Sequence, residues 1–186
     1  LVFIIVLGYE SISEAFEKIK EGQKADFYKE MAVTDTMTGV YNRSAFQEWE
    51  HETSDYEGYS IATFDLNNLK WCNDNLGHAA GDAYIQASAR IIKEIFGSHG
   101  KCYRIGGDEF CTVINQKSKK FDNARHVKQL RELEKYAEKE LGIKGLNVQI
   151  ACGYAEYDIK TDKNFEDTRS RADKKMYESK RRLKRE

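Results

Sequence analysis

The stretch KCYRIGGDEFCTVIN, residues 101–115, decides how the chain folds. Apolar and β-branched residues stand on both sides of Gly106-Gly107, and a Gly-Gly pair between two strand-like runs is typical of a hairpin turn. We therefore predict antiparallel strands at residues 101–105 and 109–115. Asp108 and Glu109 are expected at the tip and edge of this hairpin.

Working outward, the run Tyr59–Leu66 (YSIATFDL) is rich in β-branched and aromatic residues, which predicts a buried strand with Asp65 at its C-terminal end. Alternating apolar positions predict another strand at residues 147–157. Helical spacing predicts helices at residues 68–76, 81–96, 121–141 and from 164 onward. This order indicates an α/β fold with a mostly antiparallel sheet.

Two details of packing can be predicted as well. In the last helix, we expect Ala172, Met176, Tyr177 and Leu183 to face inward. The four cysteines show neither a C-x-x-C pair nor a histidine at ligand spacing, which argues against a zinc site and predicts reduced, buried thiols.

Length and charge limit the classes of protein to consider. A chain of 186 residues with 40% hydrophobic residues is sufficient for one globular domain with its own core. The formal net charge is -1, and no broad basic groove with interleaved aromatic residues is evident. We therefore expect no nucleic-acid partner.

The N-terminal region predicts a separate organisation. Residues 1–9 open with the apolar run LVFIIVL, which is too short to span a bilayer because a span takes about 20 residues. It is either the end of a transmembrane helix or a short segment that packs on the domain, and Tyr9 favours the first. We predict a linker helix at residues 10–33, either amphipathic or a short coiled coil. Residues 34–186 are expected to form the compact domain.

The acidic residues at the strand ends suggest a metal site. Magnesium prefers oxygen ligands and commonly binds one or two protein carboxylates together with substrate phosphates. Asp65 and Asp108-Glu109 supply such groups, and the adjacent glycines leave room for a triphosphate. Taken singly, an acid in a hairpin is more often a solvated turn residue than a metal ligand.

Four motifs, in order, resemble the GGDEF-domain diguanylate cyclase family. They are Asp35-x-x-Thr38-Gly39-x-x-Asn42-Arg43, residues 65–82 (DLNNLKWCNDNLGHAAGD), residues 103–110 (YRIGGDEF) and Ala172-Asp173-x-x-x-Tyr177-x-x-Lys180. The resemblance implies a palm-like nucleotide-cyclase fold, with a central, mostly antiparallel sheet flanked by helices. It also implies GTP as substrate, Mg²⁺ or Mn²⁺ as cofactor, cyclic di-GMP as product, a homodimer for catalysis and a cytoplasmic domain, here of an inner-membrane sensor.

The same resemblance implies roles for the acidic residues. Asp65 and Asp108 would bind metal through their side chains, and Leu66 through its backbone carbonyl. Glu109 would be a further metal ligand or catalytic acid. Either Asp108 or Glu109 could accept the 3'-hydroxyl proton, and Lys70 is expected among the catalytic residues.

Substrate contacts follow from the resemblance too. Asn73 and Asp82 would read the guanine base, whereas Lys70, Lys180 and Lys184 would face the phosphates. The alternatives are a helix cap for Asn73, a first-turn acid for Asp82 and a solvated basic tail for the last two lysines.

Several positions depart from the family pattern, and the hydrophobic substitutions at Met37 and Val40 are the mildest of them. Asn67 and Asn68 differ from the usual residues of the motif that begins at Asp65. Many relatives carry an Arg-x-x-Asp site for inhibition by product, and Gly97 and Gly100 occupy the two charged places here. A catalytically silent domain that binds GTP or a signalling partner is the alternative function.

Overall fold

The computed structural model describes residues 17–22, 24, 28–116 and 121–185. The chain divides into two units, Leu1–Thr34 and Asp35–Glu186. The described part of the first unit is helical as far as residue 33. The predicted membrane-associated segment, residues 1–9, lies outside the described residues. Within the described ranges, no helix combines the length and apolar character needed to cross a membrane.

The second unit alternates helices and strands around one sheet. In chain order its elements are α1 (Arg43–Glu52), β1 (Tyr59–Leu66), α2 (Leu69–Leu76), α3 (His78–Phe96), β2 (Gly100–Arg104), β3 (Glu109–Asn115), α4 (Asn123–Leu141), β4 (Ile150–Glu156) and α5 (Phe165–Leu183). The strand order is β2-β3-β1-β4 and each neighbouring pair is antiparallel. The predicted α/β class and antiparallel hairpin are confirmed.

Both faces of the sheet are covered, because β1 is apolar on both sides. Phe64 and Leu66 of β1 join the main core with Ile92 of α3 and Leu130 of α4. On the other face, the aromatic rings of Phe46 in α1 and Tyr103 in β2 meet edge to face at 5.3 Å. The sheet therefore lies between two helical layers.

Helix α5 approaches the sheet closely at Gly153 of β4. A Cβ atom at this position would lie 2.1 Å from the backbone oxygen of Ala172, so only glycine allows the contact. This contact brings the C-terminal half of α5 alongside the end of β1, where Asp65 is located.

The sequence-based details need three corrections. Helix α3 begins at His78 rather than at 81, and β4 begins at Ile150 rather than at 147. The expectation that Tyr177 faces inward is wrong, since its exposed fraction is 61%. The buried stripe of α5 consists of Phe165, Thr168, Ala172 and Ser179, and position 177 falls outside it. All four cysteines are free and buried, as predicted.

Candidate active site

The ends of β1 and β3 bring the predicted metal-binding acids together. In the strand register, Asp65 lies directly opposite Glu109, so the two side chains project from the same face of the sheet. Beyond this pair, the Leu66 N–H donates to the carbonyl oxygen of Asp108 at 3.1 Å. Acids more than 40 residues apart in sequence (65 and 108) thus share one edge of the sheet.

Asp65 is the buried member of this group, with its side chain only 9% exposed. Lys180 of α5 reaches across to it, and its Nζ lies 2.6 Å from Asp65 Oδ1. Burial raises the pKa of the Asp65 carboxyl; Lys180 opposes that rise, whereas the negative charge of Asp108 adds to it. The ionised carboxylate therefore depends on positive charge at this edge of the sheet.

The turn between β2 and β3 is shaped by its glycines. A Cβ atom at Gly106 would lie 2.8 Å from Glu109 Oε2, so the missing side chain gives the Glu109 carboxylate its space. A Cβ atom at Gly107 would meet nothing within 4 Å. Asp108 is half-buried and Glu109 is exposed, which leaves both carboxylates accessible to a ligand.

Arg104 holds this turn in place. Its Nε donates to the carbonyl oxygen of Gly106 at 3.2 Å and its Nη2 to that of Gly107 at 2.8 Å. Its Nη1 contacts Asp35 Oδ1 at 3.2 Å, which ties the turn to the start of the domain. A structural role near this hairpin is one of the two interpretations that the place of Arg104 in the motif of residues 103–110 allows.

Asp35 is in turn fixed by Thr38. Asp35 Oδ1 accepts hydrogen bonds from the Thr38 N–H at 2.9 Å and the Thr38 hydroxyl at 2.6 Å. Although burial alone would raise the pKa of Asp35, Thr38 and Arg104 outweigh it and hold that pKa below its ordinary value. The Asp35 carboxylate is thus a charged anchor for Arg104.

The two predicted base-reading residues lie where α2 packs against α3. The half-buried Asn73 side chain fills the space beside Gly81, where a Cβ atom would lie 1.8 Å from Asn73 Oδ1. Asp82 follows Gly81 directly and is exposed on α3. The Asn73 amide and the Asp82 carboxylate are therefore presented by neighbouring helices. Together these two groups can pair with the donors and acceptors on the edge of guanine.

The predicted phosphate-facing lysines differ in their surroundings. Lys70 is exposed in the first turn of α2, and Lys184 is exposed at the C-terminal end of α5. The charge of Lys184 acts on Asp65 in the same direction as Lys180, lowering its pKa. Lys180 and Lys184 are thus associated with the acidic edge, whereas Lys70 follows Asp65 by five residues in the chain and lies at the start of α2.

The two asparagines that differ from the family motif have distinct structural roles. Asn67 is fully buried; its N–H donates to Gln149 at 2.9 Å and its carbonyl accepts from the Tyr84 hydroxyl at 3.0 Å. Asn68 has a φ of 61°, a left-handed conformation that asparagine tolerates better than most residues. Both residues shape the connection from β1 to α2.

A hard divalent cation fits the donor set at this edge. Asp65 and Asp108 are close enough for the negative charge of Asp108 to raise the pKa of Asp65, so a cation between them would relieve their repulsion. Among the described residues, no three His, Cys, Asp or Glu side chains converge to enclose an ion. A bound ion would complete its shell with backbone oxygen, water and substrate phosphates, as magnesium commonly does.

Comparison with known proteins identifies relatives of the chain. The family model described as Diguanylate cyclase, GGDEF domain matches residues 32–186. The chain is 35% identical over 128 residues to the cyclic di-GMP phosphodiesterase PdeB of Shewanella oneidensis, covering 66% of this chain and 15% of that protein. It is 34% identical over 128 residues to diguanylate cyclase A of Treponema denticola, covering 67% of this chain and 33% of that protein.

The fold comparison agrees with the sequence comparison. The crystal structure of the coiled coil and GGDEF domain of DgcB from Caulobacter crescentus, in complex with c-di-GMP, matches with a TM-score of 0.72 and 22% identity. The match covers 94% of each chain and supports the fold described above. Because the family model extends over most of the chain, as the sequence motifs predicted, this protein belongs to the GGDEF diguanylate cyclase family.

Proposed function

We propose that this chain is a diguanylate cyclase, which condenses two GTP molecules into cyclic di-GMP and releases two pyrophosphates. The observation that carries the proposal is the hydrogen bond from Leu66 N–H to the Asp108 carbonyl, at 3.1 Å, at the sheet edge where Asp65 faces Glu109. The similarity to the diguanylate cyclase of Treponema denticola supports it.

Mg²⁺ or Mn²⁺ would be held by the side chains of Asp65, Asp108 and Glu109 and by the Leu66 carbonyl. When bound, the ion neutralises charge on the α-phosphate and lowers the pKa of the attacking hydroxyl. Asp108 or Glu109 would accept the proton of the 3'-hydroxyl. The 3'-oxygen then bonds to the α-phosphorus of the second GTP while the bond from that phosphorus to the pyrophosphate oxygen breaks.

The remaining residues would bind and orient GTP. Lys70, Lys180 and Lys184 bring positive charge to the triphosphate, and an ammonium acts there as a point charge. The Asn73 amide and the Asp82 carboxylate would pair with the guanine edge. A site built on such hydrogen bonds rejects an analogue that lacks them by about 10⁴-fold.

The experiment is a GTP turnover assay with product identified by chromatography. The chain should form cyclic di-GMP with Mg²⁺ or Mn²⁺, and Asp108→Asn should abolish turnover while the melting temperature stays close to that of the parent. Glu48→Gln, which neutralises an exposed carboxylate on α1, is the matched control and should keep parental activity. Parental turnover by Asp108→Asn would disprove the assignment.

A catalytically silent domain is the second candidate. It is favoured by the similarity to PdeB, a phosphodiesterase, and by Asn67 in place of the usual motif residue. Such a domain would bind GTP, as measured by calorimetry, and release no pyrophosphate. Retention of Asp65, Asp108 and Glu109 argues for the active enzyme.

Catalysis would take place in a homodimer, since each domain would hold one GTP and each 3'-hydroxyl must reach the other's α-phosphate. The helix predicted at residues 10–33 would raise the local concentration of the second domain. We expect the specific activity to rise with protein concentration until the dimer is saturated. A specific activity that stays constant across the dimerisation range, measured with ultracentrifugation, would contradict this.

The full-length protein would be an inner-membrane sensor with this domain on its cytoplasmic side. The apolar run at residues 1–7 supports this part of the proposal. Tyr9 supports it too, because tyrosine is enriched at membrane–water interfaces. Fractionation of cells that express the full-length protein tests it, because the protein should sediment with membranes and be released by detergent but not by high salt.

A further inference from the structure

A fully buried tyrosine of α3, Tyr84, joins the two chain segments that continue β1 and β4 at the acidic edge. Its hydroxyl oxygen lies 3.0 Å from the carbonyl oxygen of Asn67. The same atom lies 2.8 Å from the carbonyl oxygen of Gln149 and 2.9 Å from the backbone nitrogen of that residue. Asn67 follows Leu66 and Gln149 precedes Ile150, so the hydroxyl lies directly beyond the last register pair of the two strands.

The Tyr84 hydroxyl takes the place of one hydrogen bond in the antiparallel ladder. Two residues that form a hydrogen-bonded pair in such a ladder exchange both N–H···O bonds. The Asn67 N–H donates directly to the Gln149 carbonyl oxygen at 2.9 Å. In the other direction, the Gln149 N–H donates to the hydroxyl, whose one proton is best placed toward Asn67 because the Gln149 carbonyl already accepts from Asn67. One oxygen atom is thus inserted between β1 and β4 just after Leu66.

The surroundings of Tyr84 keep its hydroxyl in the neutral form that this relay requires. Burial raises the pKa of Tyr84, and the hydrogen bond from the Gln149 N–H only partly opposes the rise. The negative charge of Asp65 adds to it, which shows that the hydroxyl is within electrostatic reach of the acidic edge. The hydroxyl therefore accepts one hydrogen bond and donates another at neutral pH.

The relay determines where the Leu66 carbonyl points. The carbonyl of Leu66 and the N–H of Asn67 belong to one planar trans peptide, so they point in opposite directions. The Asn67 N–H is directed at Gln149, on the β4 side of β1. Because β1 lies between β3 and β4, the Leu66 carbonyl points to the β3 side, where Asp108 is located.

We propose that Tyr84 is a positioning residue for the metal site, because its hydroxyl holds the peptide between Leu66 and Asn67 and so directs the Leu66 carbonyl at the ion. This rests on the proposed function, which assigns Asp65 and Leu66 to that site. Groups that orient metal ligands typically change metal affinity by about 10–100-fold when they are removed. Phenylalanine at position 84 would keep the buried ring but lose the relay.

The test is a titration of Mn²⁺ alone into the chain, with the free ion measured by electron paramagnetic resonance. Tyr84→Phe should bind Mn²⁺ at least about tenfold more weakly than the parent. In the turnover assay, the Mg²⁺ concentration that gives half the maximal rate should rise, while the KM for GTP at saturating Mg²⁺ stays close to that of the parent. A role in stability alone would lower the melting temperature and leave both metal constants unchanged.

The matched control is Tyr154→Phe, which also removes a tyrosine hydroxyl from the sheet region. That hydroxyl accepts from Gln116 Nε2 at 2.7 Å and donates to Glu156 Oε1 at 3.0 Å. Tyr154 is opposite Ala62 in the register, three residues before Asp65 along β1. The control should therefore lose hydrogen bonds and keep the parental affinity for Mn²⁺.

A second measurement on the parent does not depend on the folding of any variant. If the relay and the ion support each other, adding Mg²⁺ should slow hydrogen exchange of the Gln149 N–H, because the ion stabilises the conformation in which that bond is made. Exchange unaffected by Mg²⁺ would overturn the proposal. Parental Mn²⁺ affinity in Tyr84→Phe, equal weakening in Tyr154→Phe, or no Mn²⁺ binding by the parent would overturn it as well.

The Mn²⁺ titration requires no turnover, so its result is separate from that of the cyclase assay. A parent that binds Mn²⁺ with the predicted dependence on Tyr84, yet forms no cyclic di-GMP, would support the positioning role and disprove the cyclase activity. A parent that forms product while Tyr84→Phe keeps the parental metal constants would do the reverse.

Discussion

Gly81 has no room for a side chain, because a Cβ atom there would lie 1.8 Å from Asn73 Oδ1 and 2.9 Å from its Cγ. If Asn73 reads guanine, Gly81→Ala should displace the amide and raise the KM for GTP. We expect an increase of about tenfold, which corresponds to the binding free energy of roughly one hydrogen bond. The kcat should change little, since the base contact is made equally in the ground state and the transition state. Steady-state kinetics measure both quantities.

A double variant serves as the control for this prediction. In Asn73→Ala the amide is gone, so adding Gly81→Ala should cost nothing further in KM if the glycine acts only through Asn73. Independent, additive losses in the double variant would show that Gly81 serves the packing of α2 on α3 instead. Thermal melting of each variant separates the two effects.

At the residue scale, motif spacing predicted the acids but could not predict their supports. Asp65 and Asp108 were expected together because the resemblance assigns both of them to one metal site. The hydrogen bond from Arg104 to Asp35 joins side chains that are 69 residues apart in the sequence. A local sequence pattern cannot predict such a long-range contact. The close approach of Lys180 to Asp65 likewise depends on how α5 crosses the sheet.

At the element scale, the start of α5 is anchored by Asp162. Its carboxylate accepts from Arg171 Nε at 3.0 Å, from the Thr168 hydroxyl at 2.8 Å and from the Asp158 N–H at 3.0 Å. Although burial opposes the change, these hydrogen bonds lower the pKa of Asp162 from 3.8 to about 2. The ionised carboxylate is therefore more favourable in the folded chain than in the unfolded one.

This lowered pKa predicts a pH-dependent contribution to stability. A group whose folded pKa is depressed stabilises the fold above its unfolded pKa and loses that effect as pH falls toward its folded pKa. Asp162→Asn should therefore lower the free energy of unfolding at pH 7 by about 1–2 kcal/mol. The deficit should shrink between about pH 4 and pH 2, as measured by denaturant unfolding at several pH values. Glu48→Gln is the control, and a deficit independent of pH would contradict the prediction.

The boundaries of the elements show where sequence patterns were sufficient. Tyr59–Leu66 was predicted at both ends because an apolar, β-branched run is bounded by polar residues. The start of α3 was predicted three residues too late, at Gly81 instead of His78, because glycine normally disfavours a helix interior. Here the close packing of Asn73 requires that glycine, which is a tertiary reason that local propensity does not contain.

At the scale of the whole molecule, control by product is the property in which this chain should differ from many relatives. Gly97 and Gly100 stand where the resemblance places the arginine and aspartate of an inhibitory site. A Cβ atom at Gly100 would lie 1.8 Å from the backbone oxygen of Val113, so the fold leaves no space for a side chain there. The only titratable residue of this turn, His99, lies against His126.

We therefore predict that micromolar cyclic di-GMP does not inhibit GTP turnover noncompetitively through residues 97–100. A bidentate arginine contact is among the stronger polar interactions in proteins, and this turn has neither an arginine nor a carboxylate to grip the product. Titration of cyclic di-GMP into the turnover assay at several GTP concentrations is the measurement, with Ser98→Ala and His99→Gln compared with the parent. Strong noncompetitive inhibition that these substitutions remove would mean that the turn binds product by other chemistry, whereas an unchanged maximal rate would leave the control of turnover to dimerisation or to a sensor region of the full-length protein.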